Sequence, residues 1–403
     1  MPGRHPLGIY LHIPFCESKC SYCNFASGVY PDSMIEPYLN ALREEIHGAG
    51  AVSRELGINR GELEWGVVDT IYFGGGTPSL LSAERIAAIV QLLKEVFVLA
   101  RDVELTLEVN PGTVSPEKAQ AHAAIGINRV SIGMQTFQDH LLRRIGRSHS
   151  VADSIETYRL YRKSGIANIS LDLILGLPVQ GQKDWLDNLE QVHRLNPEHI
   201  SMYILEVHEN THFGKVYGPQ QSSGNHENAG GTLSDLPDDD RVESYYFQAV
   251  EIFEKAGWRQ YEISNFARQG FESRHNLKYW TDKPFLGFGC GAYSYLDGKR
   301  WGNERSVGRY IELMGRNQHA VVSRHDLNDA ERQEEAFFLG LRLMSGIKFN
   351  SFQKRFGFDL RDRFRSKIDR LLDAGLIEMN PESLRLTPHG WMLSNEVFTE
   401  FMH

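Results

Sequence analysis

Cys16, Cys20 and Cys23 stand in the run Cys16-Glu17-Ser18-Lys19-Cys20-Ser21-Tyr22-Cys23, a C-x3-C-x2-C triplet. Three thiolates at this spacing suit a 4Fe-4S cluster, which takes four, so one iron is left open to bind and reduce a further ligand. A structural zinc ion needs four closing ligands, and the local candidates, His5 and His12, are poorly spaced for it. A structural disulfide fits less well, because the set is odd and nothing marks the chain as secreted. The fourth cysteine lies far away, in Gly287-Phe288-Gly289-Cys290-Gly291-Ala292, and reads as a small buried hydrophobe.

The cysteines need a frame. Gly8-Ile9-Tyr10-Leu11-His12-Ile13-Pro14-Phe15 reads as a short buried strand that delivers them onto a loop at its carboxyl end. Five further β-rich apolar runs follow at 68–73, 103–109, 129–134, 169–175 and 199–205, the first being 7–13. They alternate with amphipathic helical stretches, the signature of successive βα units around a parallel sheet. A helix is predicted over about 34–47, then a polar, glycine-containing loop insertion over 48–65. Ser82 caps the next helix, and Ser115 followed by Pro116 caps another. Periodicity does not separate an open doubly wound sheet from an incomplete barrel.

Polar residues recur at the strand ends. Gly74-Gly75-Gly76-Thr77-Pro78 follows the second strand, Glu108 ends the third, Gln135 follows the fourth and Asp172 lies in the fifth. Capping or edge solvation would explain any one of them, but four strands converging on one rim is the pattern of a site in β/α barrels. A triple glycine lets the backbone approach a ligand closely and offers its N–H groups to a carboxylate.

At 403 residues the chain exceeds the size at which single cores stop growing. The expected division is 1–215 for the βα region, 216–325 for a polar loop and connecting region, and 326–403 for a small carboxyl-terminal domain. The last part holds helical patterns around Leu384-Arg385-Leu386-Thr387 and resembles a winged-helix unit. It lacks the basic face that DNA reading requires, and a net charge of -9 also disfavours nucleic acid; a lid or docking module is the better expectation. The longest apolar stretches fall short of the roughly 20 residues of a spanning helix. The amino terminus lacks a signal-peptide pattern, which predicts a protein of the reducing cytoplasm.

The string IYLHIPFCESKCSYCNF resembles the radical S-adenosylmethionine (SAM) superfamily, in particular the branch containing the oxygen-independent coproporphyrinogen oxidases and the HemW-type haem chaperones. The resemblance implies an α/β fold, a partial six-stranded (β/α) barrel, with a mainly α winged-helix-like domain after it. It also implies a 4Fe-4S cluster on Cys16, Cys20 and Cys23, with SAM chelating the open iron. Tyr10 and Tyr22 flank the cluster loop, and Gly75, Gly76, Thr77, Glu108, Gln135, Arg147 and Asp172 fall at positions resembling SAM contacts. Carboxylates suit ribose hydroxyls and an ammonium, and an Arg suits the SAM carboxylate.

Two departures separate the branches. The oxidases carry another cysteine two residues after the triplet and a long preceding extension; this chain has Phe25 and fifteen residues ahead of Cys16. His275-Asn276-Leu277-Lys278-Tyr279-Trp280 matches the HNxxYW motif of the chaperones, so His275, Tyr279 and Trp280 are candidate haem contacts. A structural histidine tied to Asn and backbone is the equal alternative. Tyr293 stands where relatives often have a second histidine. The expected function is a haem chaperone that hands haem to acceptor proteins, in relatives membrane-bound respiratory ones, with contact to the membrane only through such partners. Cluster and SAM would serve structure, homodimer formation or regulation. The rival is a radical SAM enzyme acting on a porphyrinogen; a zinc-bound regulator is a third reading.

Overall fold

Strand β1 (Leu7–Ile13) is buried along almost its whole length, on both faces. A strand of this kind belongs inside a parallel sheet covered on both sides. In the computed structural model, which describes residues 6–55, 57, 66–218, 235–316 and 318–402, β1 is followed by β2 (Val67–Gly75), β3 (Val98–Val109), β4 (Arg129–Gln135), β5 (Asn168–Leu175) and β6 (His199–Ile204). Each pairs in parallel with the next. These are the six expected strands, and their carboxyl ends share one rim.

The sheet is wider than six strands. A hairpin of β7 (Arg259–Glu262) and β8 (Asn265–Ala267) pairs with β6. On the other side β9 (Phe285–Phe288) runs parallel to β1, and β10 (Tyr293–Leu296), β11 (Lys299–Asn303) and β12 (Val321–Asp326) continue outward. The order is β12-β11-β10-β9-β1-β2-β3-β4-β5-β6-β8-β7. The segment expected to be a loop and connector therefore donates strands to both edges. Sequences such as Lys299-Arg300-Trp301-Gly302-Asn303 are too short and too polar for their period to show; their strand state comes from pairing with an existing edge.

A second difference lies after β1. The helix Ile35–Glu55 runs on into the expected loop insertion, because Ala49 and Ser53 are buried beneath it and the Ser53 hydroxyl donates to Ala49 O. That burial outweighs the roughly 1 kcal/mol each that Gly48 and Gly50 cost a helix. Residues 58–65 of that insertion, and 219–234 of the expected polar loop, lie outside the described residues. Beyond them a helix runs over Asp239–Lys255, capped by Asp238.

The carboxyl-terminal unit has its own core. Helix Asp329–Arg342 opens on a capping box between Asn328 and Glu331. Further helices pack on a small sheet of β13 (Ile347–Lys348), β14 (Ile377–Met379) and β15 (Ser383–Leu386), ordered β13-β15-β14, a winged-helix-like arrangement. Phe337 is at its centre, stacked 4.0 Å from Phe401 and edge-on to Phe364 at 4.6 Å. No helix among the described residues is long and apolar enough to cross a membrane. Phe337→Ala should cost the carboxyl-terminal unit about 3–5 kcal/mol, read as an early denaturation transition of that unit.

Candidate functional site

The loop that leaves β1 closes on itself before it presents its thiols. Cys16 N–H donates to Gly28 O at 2.9 Å and Gly28 N–H returns to Pro14 O at 2.9 Å. Ser21 N–H donates to Ile145 O and Ser21 O accepts from Phe213 N–H, which ties the middle of the loop to two other segments. The Lys19 ammonium donates to Phe25 O, Ser27 O and the Ser27 hydroxyl at 2.8–3.1 Å, spanning the loop. Cys16, Cys20 and Cys23 are unpaired thiols and line one cavity of about 530 Å³. Burial pushes the Cys16 thiol up.

The glycine turn after β2 forms the facing wall. Gly76 N–H donates to Ile13 O at 2.8 Å, and a Cβ on Gly76 would lie 2.9 Å from Cys16 Sγ and 2.8 Å from Phe15 O. Gly75 has φ +115°, and a Cβ there would enter the His12 ring. Both positions need glycine, one for contact and one for conformation as well. His12 is fixed between the Tyr10 hydroxyl at 3.1 Å and Ala26 O at 2.9 Å.

Two carboxylates project into the same cavity. Glu108 accepts from the Tyr72 hydroxyl at 2.9 Å and Gly75 N–H at 3.1 Å, and burial raises its pKa to about 7. Asp172 accepts from the Ser131 and Ser170 hydroxyls, and burial again moves it upward. Arg147 donates to Cys20 Sγ at 3.4 Å, to Gly133 O at 2.9 Å and to Asn110 Oδ1. Burial works against its charge, yet neighbouring Tyr22 and Cys20 favour it, and its net shift is upward. Gln135 holds a left-handed backbone, φ 63°, at the end of β4.

Most of the residues singled out by sequence meet here. Tyr22, Gly75, Gly76, Thr77, Glu108, Gln135, Arg147 and Asp172 line the cavity with the three cysteines. Tyr10 does not line it; it acts on the site through His12. His275, Tyr279 and Trp280 are also absent from the lining of this cavity. His275 is buried, with Nδ1 on the Thr70 hydroxyl and Nε2 on the Tyr279 hydroxyl, both at 2.9 Å, so neither nitrogen is free for iron. Its backbone N–H and that of Arg274 donate to Glu104, while Lys278 pairs with Asp69 at 2.6 Å. The HNxxYW helix, Arg274–Trp280, is thus bonded to the interior of β2 and β3. The histidine is structural, held by Thr70 and Tyr279 rather than by Asn276; Asn276 itself lines the cavity.

Sequence reasoning missed Arg129, Ser131, Ser201, Tyr203 and His208, which also line the cavity. Arg129 had a legible signal: a charged residue opening an otherwise apolar run. It is 1% exposed, and its Nε and Nη1 have no hydrogen-bond partner.

Among the described residues no three His, Cys, Asp or Glu side chains converge on a single metal ion. Three thiols on one loop, a glycine wall in contact with the first of them and two buried carboxylates suit a cluster with a small polar ligand beside it.

The Radical SAM superfamily model matches residues 10–192, and the HemN C-terminal domain model matches 327–393. The chain is 36% identical to the heme chaperone HemW of Bacillus subtilis (strain 168), over 98% of each chain, and 31% identical to that of Escherichia coli (strain K12), again over 98% of each. In fold it resembles the Escherichia coli coproporphyrinogen III oxidase HemN, a radical SAM enzyme, with a TM-score of 0.82 at 21% identity, over 99% of this chain and 90% of that one. Fold and site together are those of a radical SAM protein, a superfamily whose members carry a 4Fe-4S cluster and SAM. Within it, the chain belongs to the HemW family.

Gly76→Ala should cost about 1–3 kcal/mol through overpacking against Cys16. The expected readouts are a lower melting temperature and a loss of iron and sulfide per chain after anaerobic reconstitution.

Proposed function

We propose that the protein is a haem chaperone, which binds haem and transfers it to acceptor proteins while carrying a SAM-bound 4Fe-4S cluster. The observation that carries this reading is similarity over nearly the whole chain to proteins named heme chaperone HemW. Phe25 supports it, because a phenylalanine stands where the oxidase branch would have a further thiol. The acceptors would be respiratory proteins at the membrane, met from the cytoplasm by peripheral contact, and a homodimer is part of the same reading.

In this reading Cys16, Cys20 and Cys23 hold the cluster. When bound, the cluster supplies an open iron that SAM can chelate. The Gly75-Gly76 turn, together with Thr77 and Gln135, lines the place for the methionyl end. Glu108 and Asp172 accept hydrogen bonds from ammonium and ribose hydroxyls. Arg147 already braces the Cys20 arm of the loop, and its buried Nε, without a partner, remains for a carboxylate. Tyr22 flanks the loop, and Tyr10 orients His12 behind the glycine turn.

Three outcomes are expected. Anaerobically reconstituted protein should show a saturable Soret-band titration with haem, and its absence would overturn the chaperone reading. With coproporphyrinogen III, SAM and a reductant, no vinyl product should form; products and 5'-deoxyadenosine in proportion would establish the porphyrinogen enzyme instead. SAM affinity, measured by equilibrium dialysis, should rise as pH passes upward through about 7, because Glu108 gains its charge there. Glu108→Gln should flatten that rise.

A further inference from the structure

We propose that haem binds across the mouth of the cluster cavity, between Phe25 on the cluster loop and Tyr203 with Ile204 at the end of β6, with His208 as a ligand to its iron. The inference rests on the haem chaperone reading and supplies its site.

Exposed apolar side chains converge at this mouth. Phe25 is 65% exposed, Tyr203 44% and Ile204 37%, and all three line one cavity together with Leu205. Single exposed hydrophobes are ordinary, but an aromatic and aliphatic set around one opening marks a binding surface. Two aromatic rings with an aliphatic neighbour suit a flat macrocycle. The set comes from the loop after β1 and from the end of β6, the first and last of the six parallel strands, so a planar ligand touching both would lie across the cavity mouth.

His208 sits in the same lining, on the segment after β6. Its Nε2 lies 3.3 Å from Glu206 Oε2, and its side chain is 39% exposed. No described residue bonds its other ring nitrogen. A half-exposed imidazole beside a carboxylate, with neither ring nitrogen held in a hydrogen bond among the described residues, is available to ligate a metal. The buried histidines do not compete: His12 and His199 have both nitrogens engaged, as has His275, while His122 and His149 are buried and do not line the cavity.

His319 lines a second cavity, one of about 630 Å³ between helix Ile35–Glu55 and β9–β12. Its Nε2 faces Glu55. Glu44, Glu45 and Glu55 line that cavity and no lysine or arginine does, which disfavours a ligand bearing two carboxylates. Lys19, Arg129 and Arg147 line the cluster cavity, and the unpartnered N–H groups of Arg129 leave positive charge within it. One opening would then serve both ligands, so bound haem should trap SAM beneath it.

The test uses the full chain with its cluster reconstituted, titrated with iron protoporphyrin IX, with iron, sulfide and melting temperature as checks on folding. His208→Ala should move the Soret maximum and weaken binding about tenfold or more, equivalent to at least about 1.4 kcal/mol. Phe25→Ser should weaken binding without changing the ligation spectrum, and His319→Ala should change neither. Release of preloaded radiolabelled SAM should slow when haem is added to wild-type protein, and not with His208→Ala at the same haem concentration. Wild-type protein that binds no haem overturns the chaperone reading and the site with it. Wild-type binding that His208→Ala and Phe25→Ser leave unchanged, or that His319→Ala abolishes, overturns this site alone.

Discussion

Parallel pairing of β1 with β2 sets Ile13 beside Gly75, and from that register the next residues of both strands leave the sheet side by side. Gly76 N–H is then within hydrogen-bond reach of Ile13 O, and its Cα faces Cys16. A slip of one residue would turn every side chain of β1 to the other face, placing His12 where Ile13 packs. The cluster loop has little choice of position once this pairing is made. Its cross-ties to Gly28, Ile145 and Phe213 consolidate a placement already decided by the strands.

Above that frame the cavity is a polar enclosure inside an apolar barrel, which is costly unless each group is satisfied. Glu108 and Asp172 are satisfied by hydroxyls and a backbone N–H, and both are pushed toward their neutral forms by burial. Arg129 and part of Arg147 are not satisfied. The imbalance is what a site prepared for a polar ligand looks like. On the side of the barrel interior away from the cysteines, Glu104, Asp69, Lys278 and His275 are mutually bonded through the HNxxYW helix. These bonds tie the motif to the strands, and its Asn276 lines the cavity.

The outer strands and the carboxyl-terminal unit are built on this centre. β9 extends the parallel sheet beside β1, and the turn after it is fixed by Glu45, which accepts from Gly289 N–H, and by the Tyr38 hydroxyl, to which Cys290 N–H donates. Cys290 is therefore a buried core thiol, as its surroundings in sequence suggested. The carboxyl-terminal helices meet the barrel where Ile263 enters their core and Glu262 bridges to Leu343, with ion pairs Arg355–Asp282 and Arg300–Glu335 beside them.

The sequence by itself determined the six parallel strands, because each is a short apolar run with its own boundaries, and it determined the thiol triplet and the glycine turn, because their chemistry depends on spacing along the chain. It also placed Glu108 and Gln135 at strand ends and Asp172 within the fifth strand, from which a common rim follows. Tertiary structure alone decided the edge strands β7 to β12, whose polar residues become strands only against an existing edge, and the run of the first helix through Gly48. It decided that Tyr10 stands behind His12 and that His275 turns inward while its neighbour Asn276 faces the cavity. Adjacent residues on a helix point about 100° apart, and which of them meets the site depends on how the helix is seated, a fact that no local pattern carries.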